Sequence, residues 1–288
     1  MLSAILKLFK VNHYIKNIIV IVPLIFSLNF LKIDLWFDCF IIFLAFCFIS
    51  SAVYIMNDLI DYKSDCKHPQ KCNRPIASGK ISKKLALFLF LILILVSVCL
   101  SLYLNITCFA CIISYFILNV FYSLYLKHIE LIDVACIALG FVLRIISGGF
   151  AIEVEPSALV ILLTFFTSMF FTFSKRKMEL LLLGDNRRKS IKKMTLETIN
   201  QYIVINAVLS IAFYFTYVMD EATILRADTK YLYITVIPFT LIFFRLLYLN
   251  SLQSKVDDPI VYVEKDLTLK ALFFVYLGVL LLVLFLAK

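Results

Sequence analysis

Asn57, Asp58, Asp61 and Asp65 place four oxygen-bearing side chains within one short stretch of the chain. At about 100° per residue on a helix, positions 57, 61 and 65 lie one above another, with 58 beside them. Carboxylates this close repel one another unless a cation neutralises them. Oxygen ligands in such an array suit a hard divalent ion, Mg²⁺ ahead of Zn²⁺. Lys67, Lys71 and Arg74 follow at once, and this mixture of signs suits a metal-bridged diphosphate. Pro69 and Pro75 stop helix formation and Gly79 permits a turn. The plain alternative is a solvated helix end with self-cancelling charges. Such an end has no need of three acids on one face, so metal and diphosphate binding is the preferred reading.

Other residues stand out singly. Arg144 lies near the middle of an apolar run, where a charged side chain costs about 2.5–3.5 kcal/mol on insertion scales and usually faces an interior site. Two roles are open to it: an internal ion pair, with Asp133 or an acid of the first loop, or a direct phosphate ligand. Tyr122 and Lys127 end another apolar run. They read equally as phosphate donors at a cavity mouth and as an interfacial tyrosine with a snorkelling lysine. Arg245 and Lys270 read as snorkelling cations. Arg187, Arg188, Lys189, Lys192 and Lys193 form a basic segment suited to anionic lipid headgroups.

The elements that must position these residues follow from composition. The chain has 288 residues, 63% of them hydrophobic and 16% charged, with a mean hydropathy of +0.99. Those values describe a polytopic membrane protein. The net charge of +9 does not indicate nucleic-acid binding, because the basic residues sit in loops beside apolar runs. Of the eight cysteines, most lie inside apolar runs and read as small hydrophobes. Cys66 and Cys72 lack the partners of a zinc site, and His68 stands alone.

At roughly 20 apolar residues per span, nine spans are expected: 15–31, 36–56, 84–104, 106–125, 131–151, 157–175, 199–219, 231–250 and 268–287. Only Asn105 separates the third from the fourth, so these form a tight hairpin. With the N-terminus cytoplasmic, Lys32, Arg226, Lys230 and Lys288 are the basic residues left on the opposite side, and all the other loop cations fall on the cytoplasmic side. That asymmetry orients the array. The expectation is one integral membrane domain, 1–288, with cytoplasmic cap loops at 57–83 and 175–198 and a retained first span in place of a cleaved leader.

The string Asn57-Asp58-x-x-Asp61-x-x-x-Asp65, followed by Arg74-Pro75-Ile76-Ala77-Ser78-Gly79, resembles the first signature of the UbiA superfamily of intramembrane prenyltransferases. Tyr122–Val134, Leu143-Arg144, Gly148-Gly149, Ser174–Leu180, and Asp257-Asp258-Pro259 with Asp266 resemble its decaprenyl-phosphate phosphoribosyltransferase branch. The branch's opening pattern, Arg-Pro-x-Gln-Trp-x-Lys-Asn, is matched here at Lys16 and Asn17.

The resemblance implies an all-α fold with nine transmembrane helices around a central cavity, and Mg²⁺ as cofactor. Asn57, Asp58, Asp61 and Asp65 would be metal-binding and catalytic residues. Lys16, Asn17, Arg74, Tyr122, Lys127, Arg144, Lys175, Arg176 and Glu179 would bind substrate. The implied donor is phosphoribosyl diphosphate and the implied acceptor a polyprenyl phosphate, with diphosphate released into the cytoplasm of a bacterial or archaeal cell. Aromatic prenyltransferases of the superfamily carry a second acid cluster after the sixth span. Here Lys175, Arg176 and Lys177 occupy that place, an exchange that suits a donor with an additional phosphate. The rival readings are an aromatic prenyltransferase using a prenyl diphosphate and, from another class, an anionic-solute transporter. No protein partner is indicated.

Overall fold

The computed structural model describes residues 2–67, 71–183, 194–252 and 265–286, and all its regular elements there are helical. His68 and Pro69, the basic segment 187–193 and Asp257-Asp258-Pro259 lie outside the described residues. The α-helices are α1 (Leu2–Phe9), α2 (Val22–Phe26), α3 (Ile33–Ile60), α4 (Tyr62–Asp65), α5 (Lys83–Leu104), α6 (Ile106–Leu124), α7 (Ile132–Ala151), α8 (Ala158–Leu183), α9 (Leu196–Met219), α10 (Glu221–Ala227), α11 (Val236–Ser251) and α12 (Leu267–Leu286). Eight helical runs among the described residues are long and apolar enough to cross a membrane, and a bent pair near the N-terminus brings the number to nine. The chain is thus an integral membrane protein of α-helical class, as its hydropathy requires.

The chain separates into two compact units, Met1–Tyr125 with Leu143–Pro156, and Leu126–Val142 with Ser157–Lys288. In the first, α3 is the central element. Its buried residues include Ile42, Phe46, Ile49 and Val53, which pack with Cys108 and Ile112 of α6 and with Val20. Ser97 of α5 donates to the Ala45 carbonyl of α3 at 2.8 Å. Asn105 makes the α5–α6 hairpin possible. Its side chain accepts from Cys108 N at 2.8 Å to cap α6, and its amide donates to the Phe150 carbonyl at 2.9 Å. In the second unit, Phe170 and Phe173 of α8 pack with Ile199, Ile203 and Ala207 of α9 and with Phe243 of α11.

The first span departs from the expected continuous helix over 15–31. The apolar segment begins earlier, with α1, then bends by 46° into Val11–Phe26. Val11–Ile21 is a 3₁₀ helix entered through Lys10 in the left-handed region, at φ 51° and ψ 48°. The β-branched run Ile18-Ile19-Val20-Ile21-Val22 is a poor α-helix former. Pro23, which has no N–H to donate, stands in the first turn of α2. A 3₁₀ run of eleven residues is far longer than the usual three or four, so tertiary contacts must hold it.

One such contact is at Gly148 of α7. A Cβ there would stand 2.0 Å from the Val20 carbonyl oxygen and 2.8 Å from its carbon, so the close approach admits only glycine. Gly148→Ala should therefore destabilise the first unit by about 1–3 kcal/mol, read as a lowered midpoint of thermal unfolding in detergent. An unchanged midpoint would show that the 3₁₀ segment yields freely.

Candidate active site

The acids lie where α3 ends. Helical hydrogen bonding reaches Asp61, whose N–H donates to the Asn57 carbonyl at 2.9 Å, and Asp61 then caps α3 at φ −82° and ψ 0°. The chain resumes at once as α4, with Asp65 N donating to the Asp61 carbonyl at 2.9 Å. Asn57 and Asp58 thus occupy the last turn of α3, Asp61 the break, and Asp65 the turn beyond it. This differs from an unbroken helix through all four residues.

Arg74 gathers the cluster. Its Nη1 donates to Asp58 Oδ1 at 3.1 Å and to Asp65 Oδ2 at 2.7 Å, and both carboxylates are almost fully buried. The segment that carries Arg74 is held by Ser78 N to the Arg74 carbonyl, Ile81 N to the Pro75 carbonyl, and Gly79 at φ 73°. Lys10 adds a second cation, with Nζ 3.5 Å from Asp58 Oδ1 and 4.5 Å from the centroid of the Tyr54 ring. The repulsion among the acids is therefore met from inside the chain, by a guanidinium and an ammonium.

Two oxygens lie outside this arrangement. Asn57 Oδ1 and Asp58 Oδ2 are buried and accept no hydrogen bond among the described residues. Leaving such acceptors unmatched costs about 1–3 kcal/mol each, more for a charged group. A hard cation satisfies an amide oxygen and a carboxylate oxygen together, so these residues fit Mg²⁺. No three carboxylate, cysteine or histidine side chains among the described residues form a ready metal cluster, which is consistent with Arg74 drawing Asp65 to itself.

Arg144 is buried within the first unit. Its Nε donates to Asn17 Oδ1 at 2.7 Å, and its Nη2 to Tyr115 Oη at 3.0 Å and Ser50 Oγ at 3.4 Å. The guanidinium lies over the rings of Tyr115 and Phe46, 4.7 and 5.4 Å from their centroids. A pair with Asp133 is excluded by geometry. Both residues are on α7, eleven positions apart, or about 16 Å along the axis. Asn17 is buried and its Nδ2 donates to Cys47 Sγ at 3.3 Å. Lys16, next to it, is half-buried, as is Tyr122 on α6.

In the second unit, Asp133 receives two hydrogen bonds from Arg176, Nε at 2.8 Å and Nη2 at 3.0 Å, while Arg176 Nη1 donates to Glu179 Oε1 at 2.8 Å. Arg176 is 2% exposed. Lys177 Nζ donates to the Asn250 carbonyl at 2.8 Å, and Asn250 Nδ2 to Ser174 Oγ at 2.6 Å, which ties α8 to α11. Lys175 is half-buried on α8, and Lys127 is half-buried in the 3₁₀ turn Leu126–His128. Arg245 does not simply snorkel. It pairs with Asp266 at 2.6 Å and holds that carboxyl, just ahead of α12, below its ordinary pKa.

The structure thus joins Asp58 and Asp65 through Arg74, Arg144 to Asn17, and Arg176 to Glu179. The residue that sequence reasoning missed is Lys10. It stands where the opening pattern carries its arginine, so matching charge in place of identity would have found it.

Residues 20–277 match the family described as the UbiA prenyltransferase family. A protein of Mycolicibacterium smegmatis named decaprenyl-phosphate phosphoribosyltransferase is 26% identical over 96% of this chain and 91% of its own length. One of the same name from Corynebacterium glutamicum is 36% identical over 55% of this chain and 49% of its own. Among solved structures, a UbiA homolog from Archaeoglobus fulgidus bound to GPP and Mg²⁺ superposes with a TM-score of 0.71. The match covers 99% of each chain at 16% identity, and it establishes a shared fold.

The burial of the Asp133–Arg176 pair predicts a large stability effect. Arg176→Met, which leaves Asp133 buried without its two donors, should cost about 3–5 kcal/mol in thermal unfolding of the detergent-solubilised protein. Adding Asp133→Leu should recover much of that loss. Equal stability of Arg176→Met and wild type would show that the pair is open to solvent.

Proposed function

The chain belongs to the UbiA prenyltransferase family, and within it we propose that this membrane transferase moves a 5-phosphoribosyl group from phosphoribosyl diphosphate to a polyprenyl phosphate, releasing diphosphate. The observation that carries the choice of donor is the near-full-length likeness to a protein named decaprenyl-phosphate phosphoribosyltransferase. Lys175, half-buried on α8, supports it, since a donor with a 5-phosphate brings more negative charge than a prenyl diphosphate.

Asn57 Oδ1 and Asp58 Oδ2, with Asp61 and Asp65 beside them, are the groups assigned to Mg²⁺. When bound, the ion supplies neutralising charge to the leaving diphosphate as the C1–O bond breaks. Arg74 and Lys16 bind diphosphate oxygens through charge-assisted hydrogen bonds. Lys127 and Lys175 are the phosphate-binding cations assigned in the second unit, and Tyr122 is a candidate phosphate donor of the first. Arg176 holds Glu179 and Asp133 in place. Positive charge developing on the ribose ring is stabilised by the carboxylates and by the acceptor's own phosphate. That acceptor is already anionic, so it attacks without a general base. The loop cations orient the N-terminus and the acid-bearing helix end toward the cytoplasm, where a soluble diphosphate donor is available, while the polyprenyl tail stays in the bilayer.

The competing reading is an aromatic prenyltransferase that uses the same acids for a prenyl diphosphate. Membranes containing the protein should form labelled lipid from phosphoribosyl diphosphate and polyprenyl phosphate, and none from a prenyl diphosphate with an aromatic acid. Product from the second pair alone would overturn the assignment. Asp61→Asn should abolish transfer while leaving expression and thermal unfolding unchanged, and near-normal turnover by that variant would remove Asp61 from the metal site.

A further inference from the structure

Three elements converge on Arg144. Its hydrogen bonds reach Asn17 in the middle of the 3₁₀ segment, Ser50 on α3 and Tyr115 on α6, and the hydroxyls of Ser50 and Tyr115 also meet each other at 3.4 Å. A neighbouring set of contacts fastens the same segment to α3. Tyr14 Oη and Ser51 Oγ lie 2.8 Å apart, Ser51 Oγ donates to the Phe9 carbonyl at 3.0 Å, and Asn17 donates to Cys47. One helical turn beyond Arg144, Gly148 brings α7 against the Val20 backbone.

The segment held in this way carries Lys16 directly before Asn17. At its entry stands Lys10, whose ammonium reaches Asp58. A 3₁₀ helix of this length has poorer internal hydrogen-bond geometry than an α-helix, so its register against α3 depends on outside contacts. A shift of the segment by one residue would move Lys10 by about 2 Å, enough to break a contact already at 3.5 Å.

We propose that Arg144 is a positioning residue for the donor site, acting through Asn17 to keep the 3₁₀ segment, with Lys10 and Lys16, in register with Asp58 on α3. The proposal rests on the function assigned above. It separates Arg144 from the residues that touch the donor. The fork of the guanidinium is what the role requires, since it engages Asn17 through Nε while Nη2 holds Tyr115 and Ser50. A lysine offers one point of charge and cannot span these partners.

A double-mutant cycle tests this. Arg144→Lys and Asn17→Ala should each raise the KM for phosphoribosyl diphosphate by about tenfold, with kcat changed by less than about threefold. Arg144→Lys/Asn17→Ala should be no worse than either single variant. Binding of inorganic diphosphate with Mg²⁺, measured by calorimetry, should weaken by the same factor in all three. Multiplied effects in the double variant would make Arg144 a direct phosphate ligand and overturn the proposal. Unchanged KM and diphosphate affinity in the folded fraction would reduce Arg144 to a stability residue. If Arg144→Lys fails to fold, Gly148→Ala perturbs the same segment at Val20 without altering a polar group. It should shift the donor KM in the same direction, and an unchanged KM in that variant also overturns the proposal. Wild-type protein that transfers only a prenyl group would refute the assigned substrate instead, and the same cycle would then be read with that donor.

Discussion

Arg74 makes the acidic helix end possible. Asp58 and Asp65 are almost entirely removed from solvent, where two carboxylates near each other would shift toward protonation or force the chain apart. One guanidinium nitrogen donating to both binds the end of α3 to the turn of α4 and to the loop that follows. The second unit uses the same device, with Arg176 between Asp133 and Glu179. In each case an arginine bridges two acids; Arg74 does so through one nitrogen, whereas Arg176 uses its planar fork, with Nε and Nη2 on Asp133 and Nη1 on Glu179. Removing one partner leaves a buried charge unmatched, so these clusters stand or fall as groups.

The first cluster has a consequence for ligand binding. Arg74 and Lys10 both use Asp58 Oδ1, and among the described residues neither Asp58 Oδ2 nor the neighbouring Asn57 Oδ1 has a donor. The acids are neutralised enough to persist, yet two oxygens that a divalent cation would bind stay unmatched. On the proposed reading a diphosphate arriving with a divalent cation would meet Arg74 and Lys10 already in place.

How much of this was legible in the sequence depends on the range of the interaction. The spans from α3 onward follow from apolar runs of bilayer length, and Asn105 marks the α5–α6 hairpin because a single capping residue suffices there. The spacing placed the acids close together, but it assumed an unbroken helix where the chain breaks at Asp61. The first span was not legible, because hydropathy measures how apolar a segment is and is blind to whether its backbone is α or 3₁₀. Nor were the partners of the arginines. Asn17 and Arg144 are 127 positions apart, and Asp133 and Arg176 are 43 apart. Periodicity carries information over a few turns of helix, whereas these pairings are decided by how separate helices pack. Arg144 was recognisable as costly in an apolar run, but its neutral partners Asn17, Ser50 and Tyr115 look in sequence like ordinary small and interfacial residues.

The chemical character of the acid cluster bears on the reaction class. Its members are carboxylates, an amide, a guanidinium and an ammonium, groups that neutralise or orient charge and are ill suited to removing a proton from a weak acid. A reaction in which an anionic acceptor displaces diphosphate asks for charge neutralisation on the leaving group and little else, because the nucleophile is already ionised. An acceptor ring that must lose a proton would ask for a base in addition. On the proposed reading the same acids could serve either donor, so they would set the leaving group and not the substrate. Selectivity must then come from charge placed elsewhere in the chain. On the proposed reading the run Lys175-Arg176-Lys177 would contribute it chiefly through Lys175, since Arg176 and Lys177 are engaged with Asp133, Glu179 and Asn250. Those bonds tie this stretch of α8 to α7 and α11, and on the proposed reading they would fix the support from which Lys175 meets a phosphate.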